Sequence, residues 1–273
     1  MSLGLGWINP EDYSFNCFLL LERFQFQMML GRNDAGWKRN MGIALHANPA
    51  VMWYIKNRCP ERAMIIDQLV ADTPACNDKD AIRKAEISLI AGAEDWVIYT
   101  TPETMYESCC FIKGWRKERL FELADFDGKV VLDVGAGSGR LTFSAAEKAA
   151  WVYASEPVGT LREFLRDTAK KNGITNVRVL DGLVTELPFP DNTFDIVMSG
   201  HVVGDDWDNE VAELERVCKP GGWLIDCPGD SPNDDVSDDD DSRPELVERG
   251  WEEIRYIGTH GATVDNYRKQ VNK

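Results

Sequence analysis

The sequence is short of positive charge. Its 30 lysines and arginines stand against 46 aspartates and glutamates, which gives a formal net charge of −16. Phosphate backbones and anionic membrane surfaces repel such a surface unless a strong local basic patch compensates. The compact basic groups, Lys38-Arg39 and the cluster from Lys113 to Arg119, are modest. We therefore expect neither nucleic acid nor a membrane as a partner.

Long apolar runs and paired cysteines are also missing. The longest apolar run near the amino terminus, Phe18 to Leu30, is interrupted by charged and amide side chains, whereas a membrane helix needs about 20 apolar residues. The first residues lack the basic start and small-residue cleavage site of a secretory signal. The seven cysteines are scattered and include no CxxC pair, which disfavours a disulfide framework and a zinc site. These absences predict a cytoplasmic protein without a metal.

The pattern of the chain changes near residue 125. Residues 1–125 have helical character, without a repeated strand pattern. From residue 126 onward, short apolar segments alternate with helical ones, which is typical of a parallel sheet with right-handed crossovers. The sequence thus predicts a helical cap region (1–125) followed by an α/β core (126–273). Helices of the cap region are predicted at 11–30, 50–58, 61–70, 78–90 and 106–123.

Five parallel strands are predicted in the core, followed by two strands that form an antiparallel hairpin around His260-Gly261. The predicted strands are 130–134, 151–155, 177–180, 194–199, 223–227, 251–257 and 263–271. Between Asp226 and Asp241 the sequence carries eight aspartates and no lysine or arginine. Such a run is usually a solvated loop, although it could also attract a cation.

The segment Val130 to Gly139 is the most informative part of the chain. It combines an apolar strand, interrupted only by Asp133, with the turn Gly135-Ala136-Gly137-Ser138-Gly139. Apolar residues without alternation are typical of a strand covered on both faces, and glycines allow the backbone to approach a ligand closely. Arg140 stands where the dinucleotide fingerprint GxGxxG has its third glycine, which disfavours an NAD-linked oxidoreductase.

Acidic residues end the next two strands. In open parallel sheets, ligands bind beyond the carboxyl ends of the strands. Strand two ends at Glu156-Pro157, where a carboxylate can accept hydrogen bonds from two ribose hydroxyls. Strand three ends in Asp181-Gly182-Leu183. The local alternatives are a solvated helix start at Glu156 and an ordinary Asp-Gly turn at strand three.

Taken in order, these motifs resemble those of class I S-adenosylmethionine-dependent methyltransferases, and in particular the small-molecule type 11 group. The segments LPFPDNTFDIV (187–197) and ELERVCKPGGWL (213–224) strengthen the resemblance, which covers residues 129–273. It implies a Rossmann-like, seven-stranded, mostly parallel sheet with a terminal antiparallel hairpin. It also implies S-adenosylmethionine as the cofactor and direct in-line methyl transfer to a small-molecule acceptor.

The resemblance further implies roles for residues at the strand ends. The glycine turn would lie against the methionine portion of the cofactor, Glu156 beside the ribose and Asp181 at the adenine. Ser199-Gly200-His201, at the end of strand four, would lie beside the sulfonium. His201 is a candidate general base, or else a residue that only shapes the pocket. The implied cofactor-binding residues of the core are Asp133, Gly135, Ala136, Gly137, Glu156, Pro157, Asp181, Gly182, Leu183, Ser199 and Gly200.

Aromatic residues before the first strand complete the predicted site. Tyr106 and Trp115 are the candidates to lie nearest the sulfonium or the carboxylate of the cofactor, since aromatic faces stabilise a sulfonium, and the cap region would close over the cofactor. The alternative is that these aromatics belong to a core. Two further alternatives to a small-molecule methyltransferase stay open: a protein that binds S-adenosylmethionine without turnover, and an RNA methyltransferase.

Overall fold

The computed structural model describes residues 6–109, 112, 115–228, 242–258 and 263–273. The chain divides into two compact units, Met1–Ser108 and Cys109–Lys273. The predicted hairpin turn at His260-Gly261 and all of the acidic segment beyond Pro228 up to Asp241 lie outside the described residues. None of the helices in the described parts of the chain combines the length and the apolar character needed to cross a bilayer.

The first unit is helical. Its core is built from phenylalanine, leucine, isoleucine and methionine side chains, among them Phe18, Phe26, Met41 and Ile55. Short 3-10 helices occupy Pro10–Asp12, Phe15–Leu20, Pro60–Arg62 and Ile98–Thr100. The α-helices are α1 (Arg23–Met29), α2 (Ala35–Ala47), α3 (Pro49–Arg58), α4 (Ala63–Asp72), α5 (Lys79–Ala91), α6 (Glu94–Val97) and α7 (Pro102–Ser108).

The single helix predicted over residues 11–30 is wrong. Its span contains two 3-10 helices and α1, because local hydrogen bonds compete with a continuous helical ladder. The Ser14 side chain accepts from the Asn16 amide and caps the second 3-10 helix. A capping box between Glu22 and Gln25 then starts α1. Helix α2 was not predicted, although its start carries a signal, since the Asp34 carboxylate accepts a hydrogen bond from the Trp37 amide at 2.6 Å.

The second unit contains one seven-stranded sheet in the order β3-β2-β1-β4-β5-β7-β6. All neighbouring pairs from β3 to β5 are parallel, and β7 pairs antiparallel with both β5 and β6. This arrangement confirms the predicted fold class. The strands are β1 (Val130–Val134), β2 (Trp151–Ser155), β3 (Val177–Leu180), β4 (Phe194–Ser199), β5 (Cys218–Asp226), β6 (Glu252–Ile257) and β7 (Thr263–Gln270).

Helices flank the sheet and cover its apolar residues. On Gly159–Lys171, the buried residues Leu161, Leu165 and Ala169 form one apolar face. The predicted helix over 106–123 is wrong, because α7 ends at Ser108 and Trp115 to Lys117 are not helical. The helices of this unit are α8 (Glu118–Leu123), α9 (Arg140–Ala146), α10 (Gly159–Lys171), α11 (Trp207–Val217) and α12 (Pro244–Glu248).

The strand order places a topological switch point between β1 and β4. The chain runs from β1 through β2 to β3 on one side and returns through β4 to β5 on the other. Crossovers on opposite sides leave a crevice beyond the carboxyl ends of β1 and β4, which is where ligands of such sheets bind. The glycine turn after β1 therefore lies at the position expected of a binding site.

Close packing within the first unit yields a stability prediction. An added Cβ at Gly42 on α2 would contact Thr73 Oγ1 and lie 2.8 Å from the backbone oxygen of Leu69. Gly42→Ala would gain about 1 kcal/mol of helix propensity, but overpacking costs about 1–3 kcal/mol. We expect a net loss of about 1 kcal/mol in the free energy of unfolding, measured by urea denaturation followed by circular dichroism.

The matched control for this prediction is Gly36→Ala, on an exposed position of the same helix. Its added Cβ would meet only Asp34 Oδ1, at 3.3 Å, so a shift of a few tenths of an ångström accommodates it. We expect this variant to equal or exceed the parent protein in stability. Equal stability of the two variants would contradict the packing argument.

Candidate functional site

The glycine turn joins the end of β1 to the start of α9. Gly135, Gly137 and Gly139 have φ angles of 65°, 55° and 92°, a backbone conformation that side chains with a Cβ rarely adopt. The amides of Gly135 and Ala136 donate to the Ser155 carbonyl at 2.8 and 3.2 Å. The turn is therefore bound directly to the end of β2.

The side chain of Glu156 also binds this turn through a hydrogen bond. Its carboxylate is buried and accepts from the Gly137 amide through Oε2 and from the Val158 amide through Oε1, both at 2.8 Å. Burial raises the pKa of Glu156 to about 7, against the opposing effect of the two amide hydrogen bonds. Helix α10 starts at Gly159, two residues after Pro157. Each carboxylate oxygen keeps a lone pair with which to accept a further hydrogen bond.

Asp133 lies inside β1 and is buried. Its carboxylate accepts a hydrogen bond of 2.5 Å from the Thr142 hydroxyl on α9. Removal from water raises the pKa of Asp133 to about 7, and the hydrogen bond to Thr142 and the charge of Arg140 oppose this rise. Asp133 thus links strand and helix beneath the glycine turn. Its predicted part in cofactor binding stays a prediction.

The end of β3 presents the predicted adenine-binding residues. The side chain of Asp181 is 74% exposed and pairs with Arg162 at 3.1 Å, while Leu183 is 38% exposed. Arg162 also donates to the Glu156 carbonyl at 2.7 Å. One guanidinium therefore joins the ends of β2 and β3. The Ser155 hydroxyl donates to the Gly182 carbonyl at 3.2 Å, which holds this loop against β2.

The end of β4 lies next to the glycine turn. Ser199 is buried and donates to Asp226 Oδ1 at 3.0 Å. His201 has a φ of 62° and stands at an exposed position. The following Val202 packs where a Cβ on Gly135 would lie. Although the residue is exposed, the protein packed around its imidazole and the charges of Arg140 and Arg243 lower the pKa of His201 below its ordinary 6.5, so the ring is neutral at physiological pH.

The structure brings most of the predicted core residues together through direct contacts. Gly137 contacts Glu156, Glu156 is linked to Asp181 through Arg162, and Gly135 contacts the segment after β4. Tyr106 belongs to the first unit, where it lies on α7 and is 47% exposed. Its predicted approach to the cofactor stays a prediction. The residues that the sequence reasoning missed are Arg140, Thr142, Arg162, Asp226 and Arg243.

The donors and acceptors of this crevice fit S-adenosylmethionine. Ser138 Oγ, in the glycine turn, is buried and has no hydrogen-bond partner, as expected of a group that awaits a polar ligand atom. Glu156 can accept from ribose hydroxyls, and the exposed Asp181 can accept from an exocyclic amine. Among the described residues, no group of three or more histidine, cysteine, aspartate or glutamate side chains is arranged to hold a metal ion.

Comparisons with known proteins find methyltransferases. The family model described as "methyltransferase domain" matches residues 132–226. The demethylmenaquinone methyltransferase of Geobacillus stearothermophilus is 33% identical over 116 residues, which are 41% of this chain and 50% of that protein. An uncharacterized methyltransferase of Schizosaccharomyces pombe is 41% identical over 104 residues, or 34% of this chain and 37% of that protein. The chain spans about half the length of the demethylmenaquinone methyltransferases that it matches.

Among solved structures, a SAM-dependent methyltransferase from Aquifex aeolicus is similar. It shares 22% sequence identity with a TM-score of 0.48, and the match covers 62% of this chain and 98% of that one. The family match and the sheet topology described above both concern the second unit.

The buried carboxyl groups predict a pH dependence of stability. Asp133 has an ordinary pKa of 3.8 and a folded value of about 7, so the folded state binds more protons between these pH values. The free energy of unfolding therefore falls as pH rises through this window, by up to about 1.4 kcal/mol per pH unit for each group. Asp133→Asn keeps an oxygen that accepts a hydrogen bond from Thr142 but removes the titrating carboxyl group. The free energy of unfolding should therefore change less steeply with pH, by the contribution of one proton.

Urea titrations between about pH 4 and pH 8 would measure this slope. Asp167→Asn, which removes an exposed carboxylate on α10, is the matched control and should keep the slope of the parent protein. An unchanged slope in Asp133→Asn would contradict the assignment.

Proposed function

We propose that this chain transfers a methyl group from S-adenosylmethionine to a small-molecule acceptor, because residues 132–226 match the family model of a methyltransferase domain. One observation carries the proposal: within the matched domain, the buried Glu156 carboxylate is bonded to the glycine-turn amide of Gly137. This contact joins the two strand ends that would hold the methionine and ribose portions of the cofactor. The strong negative charge of the chain supports a small acceptor over RNA.

Each strand end has a separate task in the proposed binding mode. The amides and bare backbone of the glycine turn allow close approach of the methionine portion, and Ser138 offers a hydroxyl there. Glu156 accepts from the ribose hydroxyls, and its position is held by two backbone amides rather than by flexible side chains. Asp181 and Leu183 receive the adenine. When bound, S-adenosylmethionine supplies a methyl group activated by its sulfonium.

His201 is the proposed proton acceptor. Its imidazole is neutral at physiological pH, because the surrounding protein and two guanidiniums lower its pKa. A neutral imidazole can take a proton from an acceptor hydroxyl or ammonium group. Its backbone is left-handed, with a φ of 62°, and it follows Gly200 directly after the end of β4.

The acceptor class is proposed from chemistry and from the relatives. Several proteins similar to this domain are demethylmenaquinone methyltransferases, so quinols and phenols belong first in a screen, followed by amines and thiols. Isothermal titration with S-adenosylhomocysteine tests cofactor binding, and transfer of radiolabelled methyl groups to this panel tests the reaction. Absence of cofactor binding would refute the proposal. Binding without transfer to any acceptor would favour a cofactor-binding protein without turnover.

The glycine turn predicts a sensitive position. Gly137 has a φ of 55°, and a Cβ there costs about 1 kcal/mol or more and displaces the amide that donates to Glu156. Gly137→Ala should weaken S-adenosylhomocysteine binding about tenfold or more, measured by calorimetry. Gly173→Ala, at a φ of 66° with no neighbour within 4 Å of the added Cβ, is the matched control. If the two variants bind S-adenosylhomocysteine with equal affinity, the prediction that the glycine turn takes part in cofactor binding is wrong.

The proposed base also has a direct test. Asparagine tolerates a left-handed backbone, so His201→Asn keeps the main chain and removes the imidazole. We expect kcat to fall about a hundredfold, with S-adenosylhomocysteine affinity unchanged and partial rescue by added imidazole. In the parent enzyme the acid limb of the pH–rate profile should lie below pH 6.5, the ordinary value for histidine. An unaltered kcat in the variant would leave His201 only a shaping role.

A further inference from the structure

Arg140 is a partly buried cation that has no acidic hydrogen-bond partner among the residues the structure describes. It opens α9 directly after the glycine turn and extends over the end of β4 to the end of β5. Its Nη2 donates to the carbonyls of Cys227 at 2.6 Å and Pro228 at 3.1 Å. Its Nη1 is buried and has no hydrogen-bond partner. Buried charges are normally paired, because an uncompensated one costs several kcal/mol.

The surroundings of Arg140 hold the guanidinium in one place. Its Cζ lies 4.7 Å from the centroid of the Trp115 ring. The Arg140 side chain can pass the end of β4 because residue 200 is a glycine. A Cβ at Gly200 would lie 2.7 Å from Arg140 Nη2 and 2.5 Å from the Cys227 carbonyl oxygen. Trp115 Nε1 is likewise buried without a hydrogen-bond partner. Two N–H donors that lack acceptors therefore occur in one contacting pair of side chains.

The nearby carboxyl groups do not neutralise Arg140 by direct contact. Asp226 is buried at the end of β5, where it accepts from Ser199 and lies 3.4 Å from Nε of Arg243. Asp133 is bonded to Thr142. Arg140 donates only to neutral carbonyls within the described residues. Hydrogen bonds from Nη2 therefore fix one side of the guanidinium. On the other side, Nη1 is a charged donor that has no acceptor among the described residues.

We propose that Arg140 and Trp115 form a binding site for an oxyanion of the methyl acceptor, either a carboxylate or an ionised hydroxyl. This inference rests on the proposed methyltransferase function. The location favours the acceptor over the cofactor as the source of the oxyanion. The predicted cofactor residues occupy the ends of β3, β2 and β1, whereas Arg140 reaches over β4 to β5. At about 4.8 Å per strand, the end of β5 lies about 14 Å from the ribose position at β2.

Fixed donors at this point would have a direct chemical use. A bidentate or charge-assisted hydrogen bond from a guanidinium orients a carboxylate or phenolate far better than a mobile lysine does. An ionised hydroxyl is also the form in which an oxygen acceptor is nucleophilic. The site would therefore select acidic acceptors and hold them beside His201, whose pKa is lowered by the same Arg140.

The test uses the full-length, ¹⁵N-labelled protein saturated with S-adenosylhomocysteine. The indole resonance of Trp115, assigned with Trp115→Phe, is followed during titration with benzoate and 4-nitrophenolate as oxyanion probes and benzamide as the neutral analogue. We expect saturable shifts with both anions and none with benzamide. Arg140→Gln should weaken anion binding about tenfold or more, and Arg140→Lys should lie between the two. Benzamide acting like benzoate, or anions that leave the resonance unmoved, would overturn the proposal.

Arg178→Gln is the matched control. Arg178 also stacks on a tryptophan, with its Cζ 4.3 Å from the Trp151 ring centroid, and also donates to backbone carbonyls, those of Thr175 and Val177. It lies at the opposite end of the sheet, where β2 and β3 begin. We expect its loss to leave anion binding intact. Equal losses in Arg178→Gln and Arg140→Gln would overturn the site-specific assignment.

A second measurement separates this inference from its premise. Calorimetry should give the parent protein and Arg140→Gln equal affinities for S-adenosylhomocysteine and for 5′-methylthioadenosine, which lacks the amino-acid portion. If Arg140→Gln weakens only S-adenosylhomocysteine, the oxyanion is the cofactor carboxylate and the acceptor assignment is wrong. If the parent protein binds neither nucleoside, the proposed function itself fails, whatever the benzoate titration shows.

Discussion

The arrangement of the crevice depends on one buried carboxylate. Glu156 directly follows β2. Its carboxylate accepts hydrogen bonds from the amide of Gly137, in the turn after β1, and from the amide of Val158, before α10. Two segments, the turn after β1 and the segment between β2 and α10, are thereby held at one point. Because both contacts use backbone amides, the geometry depends on main-chain position and little on side-chain rotamers. The carboxylate still has lone pairs free, so the group that organises the turn can also receive a ligand.

This organisation has an energetic cost. Asp133, Glu156 and Asp226 are all buried, and burial raises the pKa of each. A core made for stability alone would place apolar residues at such positions. Perturbed carboxyl groups gathered at strand ends are instead typical of functional sites, where stability is lower than the fold could reach. The same sheet tolerates this because apolar residues of β1, β4 and β5 are buried in closely packed clusters.

The sequence predicted the second unit better than the first, for physical reasons. Strands β2, β3 and β4 have the predicted bounds, because short apolar runs between acids and glycines have few other uses in an α/β sheet. Strand β5 starts at Cys218, five residues before the predicted start, since a register shift lets Cys218 pair with Phe194. In the helical unit, local capping by Ser14 and Glu22 decided where helices break, and apolar periodicity does not report such contacts.

The residues of the candidate site also differ in whether the sequence predicts them. Gly137, Glu156 and Asp181 could be predicted because parallel topology brings the carboxyl ends of strands to one edge of the sheet. Arg140 and Arg162 could not, because their roles depend on where long side chains extend. Arg140 meets Cys227, which is 87 residues away in sequence. Arginine next to a glycine turn carries no local signal for such a contact, and only the assembled sheet reveals it.

The position of β7 has a consequence for how the second unit is completed. This strand follows β6 in the chain, yet it lies between β5 and β6 and supplies the partner of both. During synthesis, β6 emerges from the ribosome with no neighbour to pair with, and the edge of β5 stays open until β7 arrives. Buried Tyr267 and Val271 reach the core only then. Non-local closure of this kind is slow and leaves apolar edges exposed to other chains, so the interval before β7 pairs is the stage most vulnerable to aggregation.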